Sequence, residues 1–338
     1  MGIKLSILDQ SILNEWETST EALGHTITLA QKAEELGYHR FWVSEHHDSD
    51  KVAGSSPEVL VSYLLAKTER IRIGSGGVML QHYSPYKVAE NFNVLASLAP
   101  GRVDLGVGGA PGGLPLSTQA LQQDYTSQPK SLADKIVELE QFIANTLPED
   151  HPFHGLQASP LPVQPADIYY LGRSASSAEA AAKLGLPYVY AQFFSKDDSN
   201  PLEAFETYHK HFTAKKAAQP QAILALSVIV ADTDEEAEQL AAESKTIKIY
   251  LANGKVLNVT SAEKAEEYGK RSGESYRIEL SEAPILHGSK ETIYQKLSEL
   301  QKAYNLEEFI IVTPVRNFAK RMHSFELLKE AFSGVSIT

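Results

Sequence analysis

Two hydrophobic periodicities alternate along the chain. Short apolar runs fall at 3–8, within 40–48, and at 71–75, 103–107, 168–171, 188–191, 224–230 and 309–312. Such runs predict strands with buried, parallel-sheet character. Between them lie stretches with helical spacing at 57–67, 85–98, 132–146, 177–184, 201–216, from 232 or 233, and at 318–331. The first helix is predicted from Thr18 to Leu36. Thr18 and Glu21 have capping-box spacing, Leu23, Ile27, Ala30 and Ala33 form an apolar stripe, and Gly37 stops it. Pro57 and Pro85 stand where prolines suit a helix start, and Ser289 heads a penultimate helix as an ordinary cap.

Eight strands alternating with helices predict the α/β class, as a closed (β/α)8 TIM barrel with insertions at its C-terminal face. A doubly wound open sheet is the alternative that the same pattern allows. The barrel is expected to be one domain over 1–338. Three stretches break the cadence as inserted loops or lid: 108–128, 148–165 and 252–287.

Composition narrows the function classes. The 338 residues can bury a large core, and 43% apolar with 22% charged residues is ordinary globular usage. With 31 Lys plus Arg against 43 Asp plus Glu, the net charge of −12 argues against nucleic-acid or anionic-membrane partners. There is no cysteine, which removes disulfides, thiolate metal sites and a cysteine nucleophile. Neither a signal peptide nor a run long enough to span a membrane is visible, so a cytoplasmic protein is expected.

In a barrel the chemistry belongs at the C-terminal ends of the strands. The second strand ends in Glu45, His46 and His47. A histidine titrates near neutrality and a carboxylate beside it can orient it, so the trio is a candidate acid–base group, with the two histidines equal on chemistry alone. Its plain reading is a hydrogen-bonded surface pair. No metal site is expected; His209 and His211 stand two apart on a helix and read as solvated. Gly76 and Gly77 end the third strand, where glycines serve a turn or the close approach of a flat ligand. The run from Gly106 through Gly108 and Gly109 to Gly113 is not G-x-G-x-x-G, because Pro111 interrupts it and no helix follows at once. After the fifth strand come Gly172, Arg173, Ser174, Ala175, Ser176 and Ser177, then a helix. Ser176 with Glu179 has cap spacing, but an arginine beside a helix start is not needed for capping. An anion site fits it better. Thr313-Pro314, after the last strand, carries no functional weight.

Taken together, LSILDQS, LAQKAEELGYHRFWVSEHH, IRIGSGGVML, SPYKVAEN, GRVDLGVGGAPG, YYLGRSASSAEAAAKLGLPY and EEFIIVTPV resemble the bacterial luciferase-like flavin monooxygenase family, in order and spacing, over nearly the whole chain. The resemblance implies a barrel that binds FMN at its C-terminal mouth. It singles out His46 as the catalytically important histidine, with Glu45 supporting its loop. It implies a non-proline cis peptide between Gly76 and Gly77 beneath the flavin. It places the flavin phosphate on Arg173, Ser174, Ala175 and Ser177, with Gly108 and Gly172 also lining the cofactor. One departure stands out: many relatives carry an arginine where this chain has Gly109, so FMN binds weakly unless Arg173 compensates. The implied activity is oxygenation of a small organic substrate by reduced FMN and O2 through a C4a-hydroperoxyflavin, under the lid at 252–287. No nicotinamide fingerprint is visible, so a separate NAD(P)H-dependent flavin reductase is expected as partner, and a homodimer is the expected assembly. The family also contains hydride-transfer oxidoreductases using FMN or deazaflavin, and non-catalytic flavin-binding proteins. The substrate cannot be read from these motifs.

Overall fold

The computed structural model describes residues 3–123, 130–194, 200–215, 219–254, 256–259 and 261–333. Parts of three sequence expectations, the end of the 108–128 loop, residue 216 of a helix and residues 255 and 260 of the 252–287 stretch, lie outside the described residues.

Strand side chains alternate between two faces, and here both faces are buried. In β1 (Lys4–Asp9), Leu5 and Ile7 face the helices while Ser6 and Leu8 face the barrel interior. In β2 (Arg40–Val43), Phe41 and Val43 point outward, Arg40 and Trp42 inward. The remaining barrel strands are β3 (Arg72–Met79), β4 (Val103–Gly108), β5 (Asp167–Gly172), β6 (Tyr188–Ala191), β7 (Ala222–Val230) and β12 (Glu308–Val312). Each pairs in parallel with its neighbour, and β7 pairs with both β6 and β12, which closes the sheet. The closed barrel is therefore the architecture, not the open sheet.

The helices around it are α1 (Ser19–Leu36), α2 (Pro57–Lys67), α3 (Pro85–Leu98), α4 (Pro115–Leu121), α5 (Leu132–Ala144), α6 (Ala175–Leu184), α7 (Pro201–His211), α8 (Asp234–Ala242), α10 (Lys290–Tyr304) and α11 (Phe318–Ser333). Thr18 and Glu21 form the expected capping box, and Gly37 ends α1 in the left-handed region at φ 73°. The buried stripe of α1 is Ala22, Thr26, Leu29, Ala30 and Ala33, so Ala30 and Ala33 are as expected while Ala22 and Thr26 replace Leu23 and Ile27. Small residues face the sheet there because they let the helix approach closely.

All three insertions differ from expectation. Residues 252–287 are not irregular. Together with the preceding strand they hold β8 (Lys245–Leu251), β9 (Val256–Val259), α9 (Ala262–Ser272), β10 (Tyr276–Glu282) and β11 (Ile285–Gly288). Strands β8, β9 and β10 form a separate three-stranded antiparallel sheet, and β11 returns to pair with the upper half of β7. The little sheet has its own core of Ile249, Leu251 and Ala265. The 148–165 stretch links α5 to β5, so it belongs to the N-terminal side of the barrel, where Gln164 lies against Gly101. It cannot be a loop at the mouth. In 108–128, α4 supplies a short helix where a loop was expected.

The barrel floor is ionic. Arg40 Nε and Nη2 donate to the Glu308 carboxylate at 2.8 and 3.1 Å, and Nη1 donates to Asp104 at 2.8 Å. Trp42 Nε1 and Arg72 Nε also donate to Asp104, each at 2.9 Å, and the Ser6 hydroxyl donates to Glu308. Burial opposes the Arg40 charge, but Asp104 and Glu308 outweigh it and hold its pKa well above the usual value. Replacing Arg40 by methionine would leave two buried carboxylates short of a counter-charge. Breaking a buried pair in this way costs about 3–5 kcal/mol. Urea unfolding of Arg40→Met should shift its midpoint accordingly; a midpoint equal to wild type would show that the network is not needed for stability.

Candidate active site at the barrel mouth

The mouth is built from the segments beyond the C-terminal ends of β2, β3, β4 and β5. Past β2 the chain carries Ser44, Glu45, His46 and His47. Glu45 is only 1% exposed, and its carboxylate collects three donors or partners. The Met79 amide donates at 2.9 Å, the Tyr83 hydroxyl donates at 2.7 Å, and His47 Nε2 lies at 2.7 Å. Glu45 thus ties the end of β2 to the end of β3, and the histidine it contacts is His47. His46 is held differently. Its amide donates to the Gly54 carbonyl at 2.8 Å, and its Nδ1 lies 3.0 Å from the Ser44 hydroxyl. That contact leaves Nε2 available to a ligand. Burial and the neighbouring His47 depress the His46 pKa to about 4, against a smaller opposing effect of Glu45. His46 is therefore neutral at physiological pH, a hydrogen-bonding or proton-accepting group rather than a resident acid.

Several supporting groups were not expected from the sequence. Tyr83 stands on the turn after β3. Lys135 of α5 donates to the carbonyls of Leu80, Gln81 and Tyr83 at 3.0 to 3.1 Å, with its pKa lowered by burial. His82 Nε2 lies 2.9 Å from the Pro111 carbonyl, and the ring packs edge-on to His47. Glu58 in the first turn of α2 has its pKa raised, first by burial and then by the Glu45 charge. A histidine closing the short 3-10 turn Leu80–His82 after β3 and standing before Tyr-Ser-Pro was the available signal for His82 and Tyr83.

The glycines form a second part. The peptide between Gly76 and Gly77 is cis. A Cβ on Gly76 would lie 2.8 Å from Leu8 and 2.9 Å from Trp42, and one on Gly77 would lie 2.6 Å from the Gly106 carbonyl oxygen. No larger residue fits either place. Gly108, by contrast, would have only ordinary contacts with Leu171 and Met79. Gly109 is exposed beside Leu132 of α5, with no charge of its own to offer.

The third part is the start of α6. Ser174, not Ser176, is the N-cap, and it forms a capping box with Ser177. The Ser177 amide donates to the Ser174 hydroxyl at 3.2 Å, and Tyr188 lies 2.9 Å from the Ser177 hydroxyl. The Ser176 hydroxyl contacts Ser174 Oγ at 2.9 Å. Ala175 and Ser176 are the first helical residues, and their amides have no partner within the helix. With Arg173 directly before the cap, the first turn offers N–H groups, hydroxyls and a guanidinium to an anion. Gly172 fits tightly under Ser177, where a Cβ would collide with that side chain. His209, expected to be solvated, is half-buried on α7, and burial lowers its pKa.

Among the described residues no group of three or more His, Asp or Glu could hold a metal ion, and no helix is long and apolar enough to cross a membrane. The fold defines a (β/α)8 barrel protein, and these three groups of residues make a candidate site at its C-terminal mouth. Residues 3–305 match the luciferase-like monooxygenase family, and the chain belongs to that family. It is 45% identical to the N-acetyl-S-alkylcysteine monooxygenase of Bacillus subtilis (strain 168), over 97% of this chain and 98% of that one. Among solved structures, apo-MsnO8 superposes with a TM-score of 0.78 at 34% identity, covering 98% of both chains. The oxygenating constituent of 3,6-diketocamphane monooxygenase from Pseudomonas putida, in complex with FMN, shares the fold at a TM-score of 0.70 and 19% identity, over 98% of this chain and 97% of that one.

The depressed His46 pKa fixes a pH dependence. In the unfolded chain His46 returns to the ordinary 6.5, so below that value the unfolded state takes up its proton first. Stability from neutral His46 is complete above about pH 6.5 and is lost as pH falls toward about 4. NMR titration should show the His46 ring neutral down to pH 5, and His46→Asn should flatten the acid limb of the stability curve. A His46 midpoint at or above 6.5 would contradict the buried, neutral assignment.

Proposed function

We propose that this enzyme is a flavin-dependent monooxygenase that uses reduced FMN and O2 to oxygenate a small organic thioether of the N-acetyl-S-alkylcysteine kind. The observation that carries the cofactor reading is the shared placement of two features at one end of the barrel. Strand ends stripped of side chains at Gly76, Gly77 and Gly108 make room for a flat ring. The Arg173–Ser174 start of α6 suits a phosphate. The family supports oxygenation, and the whole-length 45% identity supports the substrate class.

Reduced flavin supplies, when bound, the two electrons that let one atom of O2 enter the substrate while the other leaves as water. The chain's own part is to bind, orient and shelter. Arg173, Ser174, Ala175 and Ser177 would hold the phosphate, and Gly172 lets that turn close up. Neutral His46 would hydrogen-bond or accept a proton at the ring or the substrate through Nε2. Glu45 would hold the β2 and β3 ends together rather than touch the substrate. The β8–β10 sheet with α9 would act as the cover that excludes water. The electrons would come from a separate NAD(P)H-dependent flavin reductase, since the sequence has no nicotinamide fingerprint. Because Gly109 contributes no charge, FMN binding would rest on α6 and be weak, as suits a diffusing reduced cofactor.

One experiment with two arms tests this. Enzyme, a generic flavin reductase, NADH, FMN and 18O2 should convert N-acetyl-S-benzylcysteine to a product carrying one 18O atom, and His46→Ala should lower the rate at least about tenfold, since a positioned proton-transfer group contributes 10²–10⁴-fold. Oxygen-independent turnover would favour hydride transfer instead. In the second arm, Arg173→Ala should weaken FMN binding but not lumiflavin binding, because only FMN has a phosphate. Equal losses would remove Arg173 from the phosphate site.

A homodimer through the early helices is proposed as the assembly. Val59 and Tyr63 of α2 and Val94 and Leu98 of α3 are all exposed apolar residues on adjacent helices. Sedimentation at micromolar concentration should give twice the 37.1 kDa chain mass, and a monomer would refute it.

A further inference from the structure

Helix α9 presents two different faces. Ala265 and Gly269 are buried toward the small sheet. Lys264, Tyr268 and Arg271, spaced four and three apart, share a neighbouring stripe and line a cleft of about 450 Å³, with Tyr268 also packing against the sheet's core. Across the cleft stand Asp48, two residues beyond His46, and Leu114, Pro115, Leu116 and Gln119 at the start of α4. The cleft adjoins the mouth directly: Gly112, two residues before Leu114, accepts the His47 amide at 2.8 Å.

The charges in the cleft are not equivalent. Lys264 is committed, since its ammonium donates to the Asp48 carbonyl and lies 3.4 Å from the Asp48 carboxylate. This contact also fixes α9 against the loop that carries His46. Glu267 lies one turn before Arg271 and both are exposed, and among the described residues no ion pair joins them. Among the described residues, Arg271 makes no hydrogen bond or salt bridge, although it borders the cleft. Opposite it, Leu114 and Leu116 offer apolar surface. A free guanidinium at one side and an apolar wall at the other match a ligand with a carboxylate and an apolar tail.

We propose that Arg271 is the specificity-determining residue of a substrate site in this cleft, binding the carboxylate of an organic acid whose apolar arm lies along Leu114, Leu116 and Tyr268. The inference rests on the substrate class proposed above and names the group that would select it. Glu267 is the competing charge, so the site favours a monoanion over a dianion. Guanidinium suits the task because its fork meets a carboxylate with two parallel bonds.

Binding, read without turnover, separates this site from the oxygenation reading. Calorimetry on the full-length chain, with and without FMN, compares N-acetyl-S-benzylcysteine with its methyl ester. Wild type should bind the acid at least about tenfold more tightly than the ester, the size expected of one charge-assisted contact. Arg271→Gln should remove that difference by weakening only the acid, and Glu267→Gln should tighten the acid. The site is refuted if wild type does not bind the acid, if acid and ester bind alike, or if Arg271→Gln weakens both equally or neither. These results hold whether or not 18O enters the product, so a failed oxygenation assay would strike the activity and leave the carboxylate site standing.

Discussion

The structure depends on one buried charge. Arg40 enters the barrel from the first position of β2 and must meet counter-charge there, because an unpaired guanidinium in the interior costs several kcal/mol. Asp104 from β4 and Glu308 from β12 supply it. These contacts bind strands that are far apart in sequence, and so fix their register at the closed end. The guanidinium also lies 4.6 Å from the Tyr169 ring centre and 5.6 Å from that of Trp42, so the aromatic layer above is seated on the ionic one. Its cost is offset by saturation: every barrel-facing nitrogen of Arg40 has an oxygen partner.

The mouth is shaped by that floor. Trp42 fills the interior so fully that β3 must pass it without side chains. A Cβ on Gly74 would meet the indole nitrogen at 2.9 Å, and one on Gly76 would meet the same ring. The bare strand surface at Gly76 is thus in part a packing consequence of the Trp42 ring, while at Gly77 it is the β4 backbone at Gly106 that leaves no room. Glu45 then performs at the top the role Asp104 performs at the bottom. It is a buried carboxylate that joins two strand ends through an amide, a phenol and an imidazole. With Glu45 occupied in this way, His46 is left with only a hydroxyl and a backbone carbonyl. Burial and the neighbouring His47 then outweigh Glu45 and keep it neutral.

Much of this was legible in the sequence because both faces of a barrel strand are buried. Runs such as FIIV and FWV have no other stable place. The strand ends were legible for the same reason: Glu45-His46-His47 and Gly172-Arg173-Ser174 break an apolar run with chemistry a core cannot hold unpaired. The small sheet was not legible. Its strands pair antiparallel with one face in solvent, its core is a handful of residues, and β9 is only four residues long, so charges interleave with the apolar positions. The cap of α6 was misplaced by two residues because Ser174 and Ser176 both head acceptable capping boxes; Gly172 packing under Ser177 decides between them. Which histidine Glu45 contacts was equally hidden. Adjacent residues at the end of a strand diverge, and i to i+2 contact returns to the same side.

The small sheet also bears on the cover proposed for it. An irregular loop would lose conformational entropy each time it closed over a ligand. A sheet with its own core and a helix moves as a unit, and only its hinges need adjust. The sheet is joined to the barrel through α8 on one side and through β11, which pairs with β7, on the other. On the far side, Lys264 reaches the residue two beyond His46. Any displacement of α9 therefore acts at once on the loop that holds the neutral histidine and on the cleft that contains Arg271. Helix α9 thus joins the small sheet, through its buried Ala265 and Gly269, to the loop that carries His46, through Lys264.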